Sequence, residues 1–418
     1  MELEAGALVA GGDALGRMPS GKVVFIDGAL PGETVEVELT GSRKDYAKAV
    51  VTRVISASPT RVSPPCPHVA ENCGGCQWQH LALGAQHEAK VRIAIESLIR
   101  IGRVSIDDGL VARAASGGRL PGTGYRTTVR LAFSDDGRPG FRERSSNRVV
   151  PVGECLVAHP LLRPAIAALS SRPGSDVEVS LRCSTATEVV GAVVHGDERI
   201  VRGLEAVDVV GDDARLIETV HGVDLVVSMG SFFQSGVAAA NLLVDTVRTL
   251  AGPEALSGTF GQVVDAYGGC GLFAATIVPT HVPVTLVESN PFAIADARIN
   301  LASRRATIVE AAVEDWDAQP AGLVIADPAR TGLGAAGVAT LVATRAPIII
   351  LVSCDAAAGA RDVRLLADAG YELDDISVLD LFPHTNHLEM VTRLRRSKVV
   401  DESRPVTRFV EGFAPPAA

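Results

Sequence analysis

The sequence predicts an α/β protein: a parallel, doubly wound sheet fills the C-terminal part, behind a small β-barrel and a mixed α+β middle. Three observations carry this. From about residue 260, apolar strand-like runs at 263–267, 284–288, 323–327 and 348–353 alternate with helical runs at 291–303 and 358–369. Such alternation builds parallel sheets, because each parallel pair needs a crossover helix. The first sixty residues instead carry short, alternating, β-rich runs separated by turns. The stretch 110–230 mixes strand-like runs with irregular segments.

Taken in order, residues 22–26, 34–39 and 47–54 alternate apolar and polar positions, and Asp27-Gly28 and Pro31-Gly32 supply turns. Five or so short strands in so little chain predict a small barrel. A Pro- and Cys-rich segment, 64–76, follows. Residues 81–101 then place Val91, Ile95, Leu98 and Ile99 at helical spacing. Within the middle region, 177–181 and 189–194 read as strands. The division expected is 1–60, 61–230 and 231–418, with residues 412–418 as a frayed tail.

Bulk composition agrees with several domains. The chain has 418 residues, 47% of them hydrophobic and 21% charged, which suits a folded rather than a disordered chain. No apolar run approaches the ~18 residues of a membrane helix. The N-terminus lacks the basic region of a signal peptide. A cytoplasmic, membrane-free protein is expected, and a monomer. The net charge of −10 argues weakly against a nucleic-acid partner, but residues 86–150 hold twelve Lys or Arg against seven Asp or Glu. Arg138, Arg142, Arg144 and Arg148 are the densest part. This stretch reads equally as an RNA-binding patch or as a solvated charged face.

There are seven cysteines: Cys66, Cys73, Cys76, Cys155, Cys183, Cys270 and Cys354. An odd number in a reducing compartment points away from disulfides and towards metal binding and a reactive thiol. Cys66, Cys73 and Cys76 are compactly spaced, and Cys155 completes four thiolates. Four cysteines suit zinc or an iron–sulfur cluster, and spacing does not separate the two.

The strand at 263–267 runs into Gly268-Gly269-Cys270-Gly271 and then a helix. Glycine allows a sharp turn and close approach of backbone to ligand. Glu288 ends the next strand, where a carboxylate can accept hydrogen bonds from both ribose hydroxyls of an adenosine. A nicotinamide dinucleotide would suit the same loop. However, Phe273-Ala274 stands where the third glycine of that fingerprint is due. A further polar turn, Asp327-Pro328-Ala329-Arg330, closes a later strand.

Cys354 follows the apolar strand ending at Ser353, at the rim where ligands of such sheets bind. A second motif, Asp380-Leu381-Phe382-Pro383-His384-Thr385, leads to His387 and Glu389. Residues 387–391 read as a strand, which puts Glu389 near the same edge. A lone cysteine is more often an inert core residue. A thiol with a carboxylate base is, however, what alkylation of uracil C5 requires. Carbon 5 becomes nucleophilic only after a thiolate adds to C6, and a base must then remove the C5 proton so that the thiol can leave.

With these residues the chain resembles the RNA uracil-5 methyltransferases, a family of tRNA T-loop and 23S rRNA enzymes. The resemblance covers nearly the whole chain. It rests on Phe232-Phe233-Gln234, residues 265–271, Asp327 to Arg330, Ser353-Cys354-Asp355, and Phe382 through Glu389. It implies a Rossmann-like S-adenosylmethionine-dependent methyltransferase domain, with Gln234, Tyr267, Glu288 and Asp327 on the cofactor. Cys354 would be the nucleophile and Glu389 the proton acceptor. Residues 1–60 are similar to the TRAM domain, a small RNA-binding barrel, and 61–230 would form a central RNA-binding domain. For Cys66, Cys73, Cys76 and Cys155 the resemblance implies a [4Fe–4S] cluster, although six residues rather than the family's usual five separate the first two. Two further departures are Ser235-Gly236 after the F-x-Q, where the family often has V-N, and Gly268, where it often has Cys. Tyr125-Arg126 is expected either to touch RNA or, for Tyr125, to pack inside.

The expectation is therefore an enzyme that forms 5-methyluridine in structured RNA, with 23S rRNA favoured by the barrel and four cysteines. The alternatives are a tRNA T-loop enzyme, a non-catalytic RNA-binding protein that keeps the fold, and a small-molecule methyltransferase.

Overall fold

The computed structural model describes residues 1–144 and 146–397, so the expected tail at 412–418 lies outside the described residues. At the N-terminus, strands Glu2–Glu4, Ala14–Arg17, Val23–Asp27, Thr34–Ser42 and Tyr46–Ser56 form one sheet. The sheet curls until its two edges meet: Gly6 N–H donates to the Leu15 carbonyl at 2.6 Å, next to a Leu8–Ala14 bridge. Its inner side is apolar because strand side chains alternate. Val24, Ile26, Val35, Val37, Ala47 and Ala49 are buried while the residues between them face outward.

The central sheet has six strands, and its two predicted runs appear one residue later than expected, as Glu178–Cys183 and Val190–His195. Helix Leu83–Arg100 forms as its spacing predicts, burying Val91, Ile95 and Leu98, but Ile99 points outward and is exposed. This helix does not join the central sheet. It packs on helix Ala356–Asp368, and the next helix, Asp108–Ala115, packs on strand Tyr371–Leu379. The N-terminal half thus contributes a layer to the C-terminal sheet.

That sheet has seven strands: β1 Val263–Ala266, β2 Val284–Glu288, β3 Ala306–Glu310, β4 Leu323–Ala326, β5 Ile348–Ser353, β6 Tyr371–Leu379 and β7 Glu389–Arg396. Their order is β3-β2-β1-β4-β5-β7-β6. Pairing is parallel from β3 through β5, as expected, but β7 runs antiparallel between β5 and β6. The reason is the connection. A loop rather than a helix joins β6 to β7, and a loop that short can only return the chain antiparallel. Because β7 is reversed, its first residue, Glu389, lies at the edge where the parallel strands end. The topological switch falls between β1 and β4, where open α/β sheets bind ligands. Among the described residues no helix is long and apolar enough to cross a membrane.

Candidate active site

The antiparallel pairing of β5 with β7 sets Ser353 opposite Met390. The ladder ends there, so Cys354 and Glu389 are the next residues on the two neighbouring strands, close enough for the Glu389 charge to act on the Cys354 thiol. Asp355 turns the chain at this point, its Oδ1 accepting the Ala357 and Ala358 N–H groups at 3.0 and 2.8 Å to cap helix Ala356–Asp368. Cys354 is half-buried. Glu389 is 3% exposed, and its Oε1 has no hydrogen-bond partner.

This environment disfavours charge. Burial, with the nearby Asp327 carboxylate, raises the Glu389 pKa well above the usual carboxylate range. Burial also lifts Asp327 above its ordinary value. The Cys354 thiol is pushed up to about 12 by burial and by the charges of Glu389 and Asp327, with Arg330 opposing. Arg330 donates to His387 Nε2 at 3.3 Å. Burial, with Arg330 nearby, lowers His387 to about 4, so its imidazole is neutral and accepts. Burial thus opposes ionisation of both the Cys354 thiol and the Glu389 carboxyl.

The other expected residues gather along the same edge. Gln234 is buried and its Nε2 donates to Asp327 Oδ2 at 3.4 Å. The segment before it is anchored by Asp296, a buried carboxylate that accepts from Ser228 N and from the Ser228 and Ser231 hydroxyls at 2.7, 2.5 and 2.5 Å. Phe232, beside it, is 72% exposed. Tyr267 adopts φ +58°, unusual for a side chain of its size, and its hydroxyl donates to Glu314 at 2.6 Å. Gly269, at φ +54°, has open space where a Cβ would stand. Glu288 is locked beside it, accepting N–H groups from Gly269, Ser289 and Asn290 at 2.9, 2.8 and 2.7 Å. Asp327 follows β4, and Asp362 secures the loop beyond it by accepting from Leu333 N and Gly334 N. These residues form a polar-ended cradle around an open glycine turn, of the kind that holds an adenosine.

Two residues escaped the sequence reading, and a third, Asp265, had no role assigned within the 265–271 motif. Glu314 orients Tyr267, Asp296 anchors the segment before Gln234, and Asp265 is buried with one oxygen unpartnered. Glu314 and Asp296 act through partners distant in sequence, whereas Asp265 accepts from Ala274 N at 2.9 Å. Tyr125 takes the packing alternative: it is buried, and its hydroxyl donates to the Pro383 carbonyl at 2.9 Å. The densest basic run is largely spent on internal pairs. Arg138, Arg142, Arg144 and Arg148 bond to Asp136, Glu178, Asp27 and Glu143.

Cys66, Cys73, Cys76 and Cys155 line one cavity of about 220 Å³ with Arg126 and apolar walls including Val69, Val129 and Phe141. Burial raises the thiols of Cys73, Cys76 and Cys155, that of Cys76 to about 11. Among the described residues no three or more His, Cys, Asp or Glu side chains are close enough to hold a metal ion.

Residues 7–52 match the TRAM domain family. The chain is 33% identical to an uncharacterised RNA methyltransferase of Streptomyces avermitilis, across 94% of this chain and 97% of that protein. It is 31% identical to a 23S rRNA (uracil(1939)-C(5))-methyltransferase of Chromohalobacter salexigens, across 97% and 91%. Its fold is similar to that of the Pyrococcus abyssi tRNA (uracil-54, C5)-methyltransferase crystallised with S-adenosyl-L-homocysteine. The TM-score there is 0.70 at 24% identity, with 94% of this chain and 99% of that one covered.

Proposed function

The chain belongs to the RNA uracil-C5 methyltransferase family, and we propose that it forms 5-methyluridine in 23S rRNA, with Cys354 as nucleophile and Glu389 as base. The observation that carries this reading is that β5 and β7 end in register at Ser353 and Met390, which brings Cys354 and Glu389 together at the same edge. The thiolate of Cys354 adds to C6 of a flipped-out uracil, and the electron pair of the C5–C6 double bond moves into the enolate. S-adenosylmethionine, when bound, supplies an electrophilic methyl group. Once C5 carries that methyl group, Glu389 removes the C5 proton. The electron pair re-forms the double bond and expels Cys354. A buried, hydrogen-bond-poor carboxylate suits that step, since its raised pKa makes it a stronger base once ionised.

The donor set fits the cofactor. Glu288 is held rigidly beside the open glycine turn, where it can accept from ribose hydroxyls. Gln234, Tyr267 and Asp327 complete the binding set we propose. For the four cysteines we propose a [4Fe–4S] cluster, supported by all four thiols lining one cavity of about 220 Å³. One zinc ion, at Zn–S distances of about 2.3 Å, would draw its sulfurs to within about 3.8 Å of each other. A cluster holds its ligands further apart. Residues 1–60, 61–230 and 231–418 then serve as RNA-binding barrel, cluster-bearing RNA domain and methyltransferase domain of a monomeric cytoplasmic enzyme.

Deleting the gene and mapping 5-methyluridine tests this. One site should disappear from 23S rRNA, while the tRNA T-loop stays modified. Loss confined to tRNA overturns the target, and no loss in either RNA overturns the activity.

A further inference from the structure

The loop between β6 and β7 leads into Glu389, and its backbone is held from outside. Five consecutive carbonyls, those of residues 380–384, each accept a hydrogen bond from a distant residue. Asp380 O accepts from Leu120 N at 3.0 Å, and Leu381 O from Ser235 Oγ at 3.2 Å. Phe382 O accepts from Lys90 Nζ at 3.0 Å, Pro383 O from Tyr125 OH at 2.9 Å, and His384 O from Trp78 N at 2.8 Å. Four of the five donors precede residue 126 in the chain. The Lys90 contact differs from the rest. Its side chain is 0% exposed, and Nζ also donates to the buried Asp380 Oδ1 at 2.5 Å. One turn earlier on the same helix face, Gln86 Oε1 accepts the His384 N–H at 2.6 Å.

Burying an ammonium and a carboxylate together is costly, and an apolar pair of similar size often serves stability as well or better. Stability alone therefore does not account for Lys90 at this position. What the ion pair adds is direction. One Nζ ties the start of the loop at Asp380 to its middle at Phe382, seven residues before Glu389. We propose that Lys90 is a positioning residue for proton removal, through which the N-terminal half holds the Glu389 loop against Cys354. The inference rests on the roles proposed above for Cys354 and Glu389. With the loop released, Cys354 can still attack C6, because β5 and the Asp355 cap hold it independently. Removal of the C5 proton should slow, since misplacing a reacting group by an ångström can cost as much as a hundredfold.

The test uses full-length Lys90→Met, Asp380→Asn and the double variant Lys90→Met/Asp380→Asn, in single turnover on 23S rRNA transcript. It reads the ratio of covalent protein–RNA adduct to released methylated RNA, which does not depend on how much protein is folded. Lys90→Met leaves Asp380 buried without its partner and is expected to melt early. The double variant removes both charges and should recover thermal stability. We expect the double variant still to accumulate adduct, its ratio at least about tenfold above that of the unmodified enzyme. Attack on 5-fluorouridine RNA should stay within about twofold. If the double variant recovers both stability and the normal ratio, Lys90 is structural only and the proposal fails. If the unmodified enzyme forms no adduct with 5-fluorouridine RNA, the underlying catalytic reading fails instead.

Discussion

Cys354 and Glu389 each lie one residue beyond the Ser353–Met390 pair, where a parallel strand meets the antiparallel strand inserted beside it. Each is assigned a different step, so their losses should look different. Cys354→Ala should abolish methylation and every RNA adduct, because no bond to C6 can form. Glu389→Gln should still permit attack and methyl transfer and then stall, leaving a cofactor-dependent protein–RNA band on a denaturing gel. A trapped band from Cys354→Ala would point to another nucleophile, with Cys270 the first to examine.

The same pair sets the pH dependence. Burial holds Glu389 in its neutral form above the ordinary carboxylate range, so its base form grows as pH rises. Adduct resolution in single turnover should therefore keep climbing with pH above about 5, where an ordinary glutamate would already give a plateau. A rate that is flat over this range would show that Glu389 is ionised throughout.

Glu288 should govern cofactor affinity. Glu288→Ala removes the ribose acceptor and leaves the Gly269, Ser289 and Asn290 N–H groups without their carboxylate. A loss of about 1–3 kcal/mol, roughly ten- to a hundredfold in Kd for S-adenosylmethionine by calorimetry, is expected. Unchanged affinity would place the adenosine elsewhere.

The cysteine cavity should hold iron and sulfide. Protein purified without oxygen should be brown, and Cys155→Ser should lose both iron and sulfide together. Metal analysis returning one zinc per chain without sulfide would exclude the cluster.

Glu218 offers a stability test away from the site. It is 0% exposed, and neither carboxylate oxygen has a hydrogen-bond partner. Burial raises it to about 7, with Arg182 opposing. The folded state therefore binds a proton that the unfolded state has lost between about pH 4.5 and about pH 7. Its contribution is present at low pH and is lost as pH rises through that window. Glu218→Gln carries no such dependence. Its stability relative to the unmodified protein should improve by about 3 kcal/mol between about pH 5 and about pH 8. A difference independent of pH in denaturant titrations would contradict the shift.

The sequence by itself determined five of the seven strands of the methyltransferase sheet, missing Ala306–Glu310 and Tyr371–Leu379, together with the small barrel and the positions of Cys354, Glu389, Glu288 and Asp327 near strand ends. These were legible because alternation, helical spacing and turn residues are local. A residue that closes an apolar strand also falls at the sheet's rim whatever the rest of the chain does. The tertiary structure alone decided what lies opposite what. It inserted β7 in reverse, which turned two distant motifs into neighbours. It also sent helix Leu83–Arg100 to the far domain, which brought Lys90 to the Phe382 carbonyl, and it buried Tyr125 against the Pro383 carbonyl of the same loop. Those contacts join residues more than 250 positions apart. No local pattern encodes them, because they exist only where buried faces from both halves of the chain must cover each other and satisfy each other's polar groups.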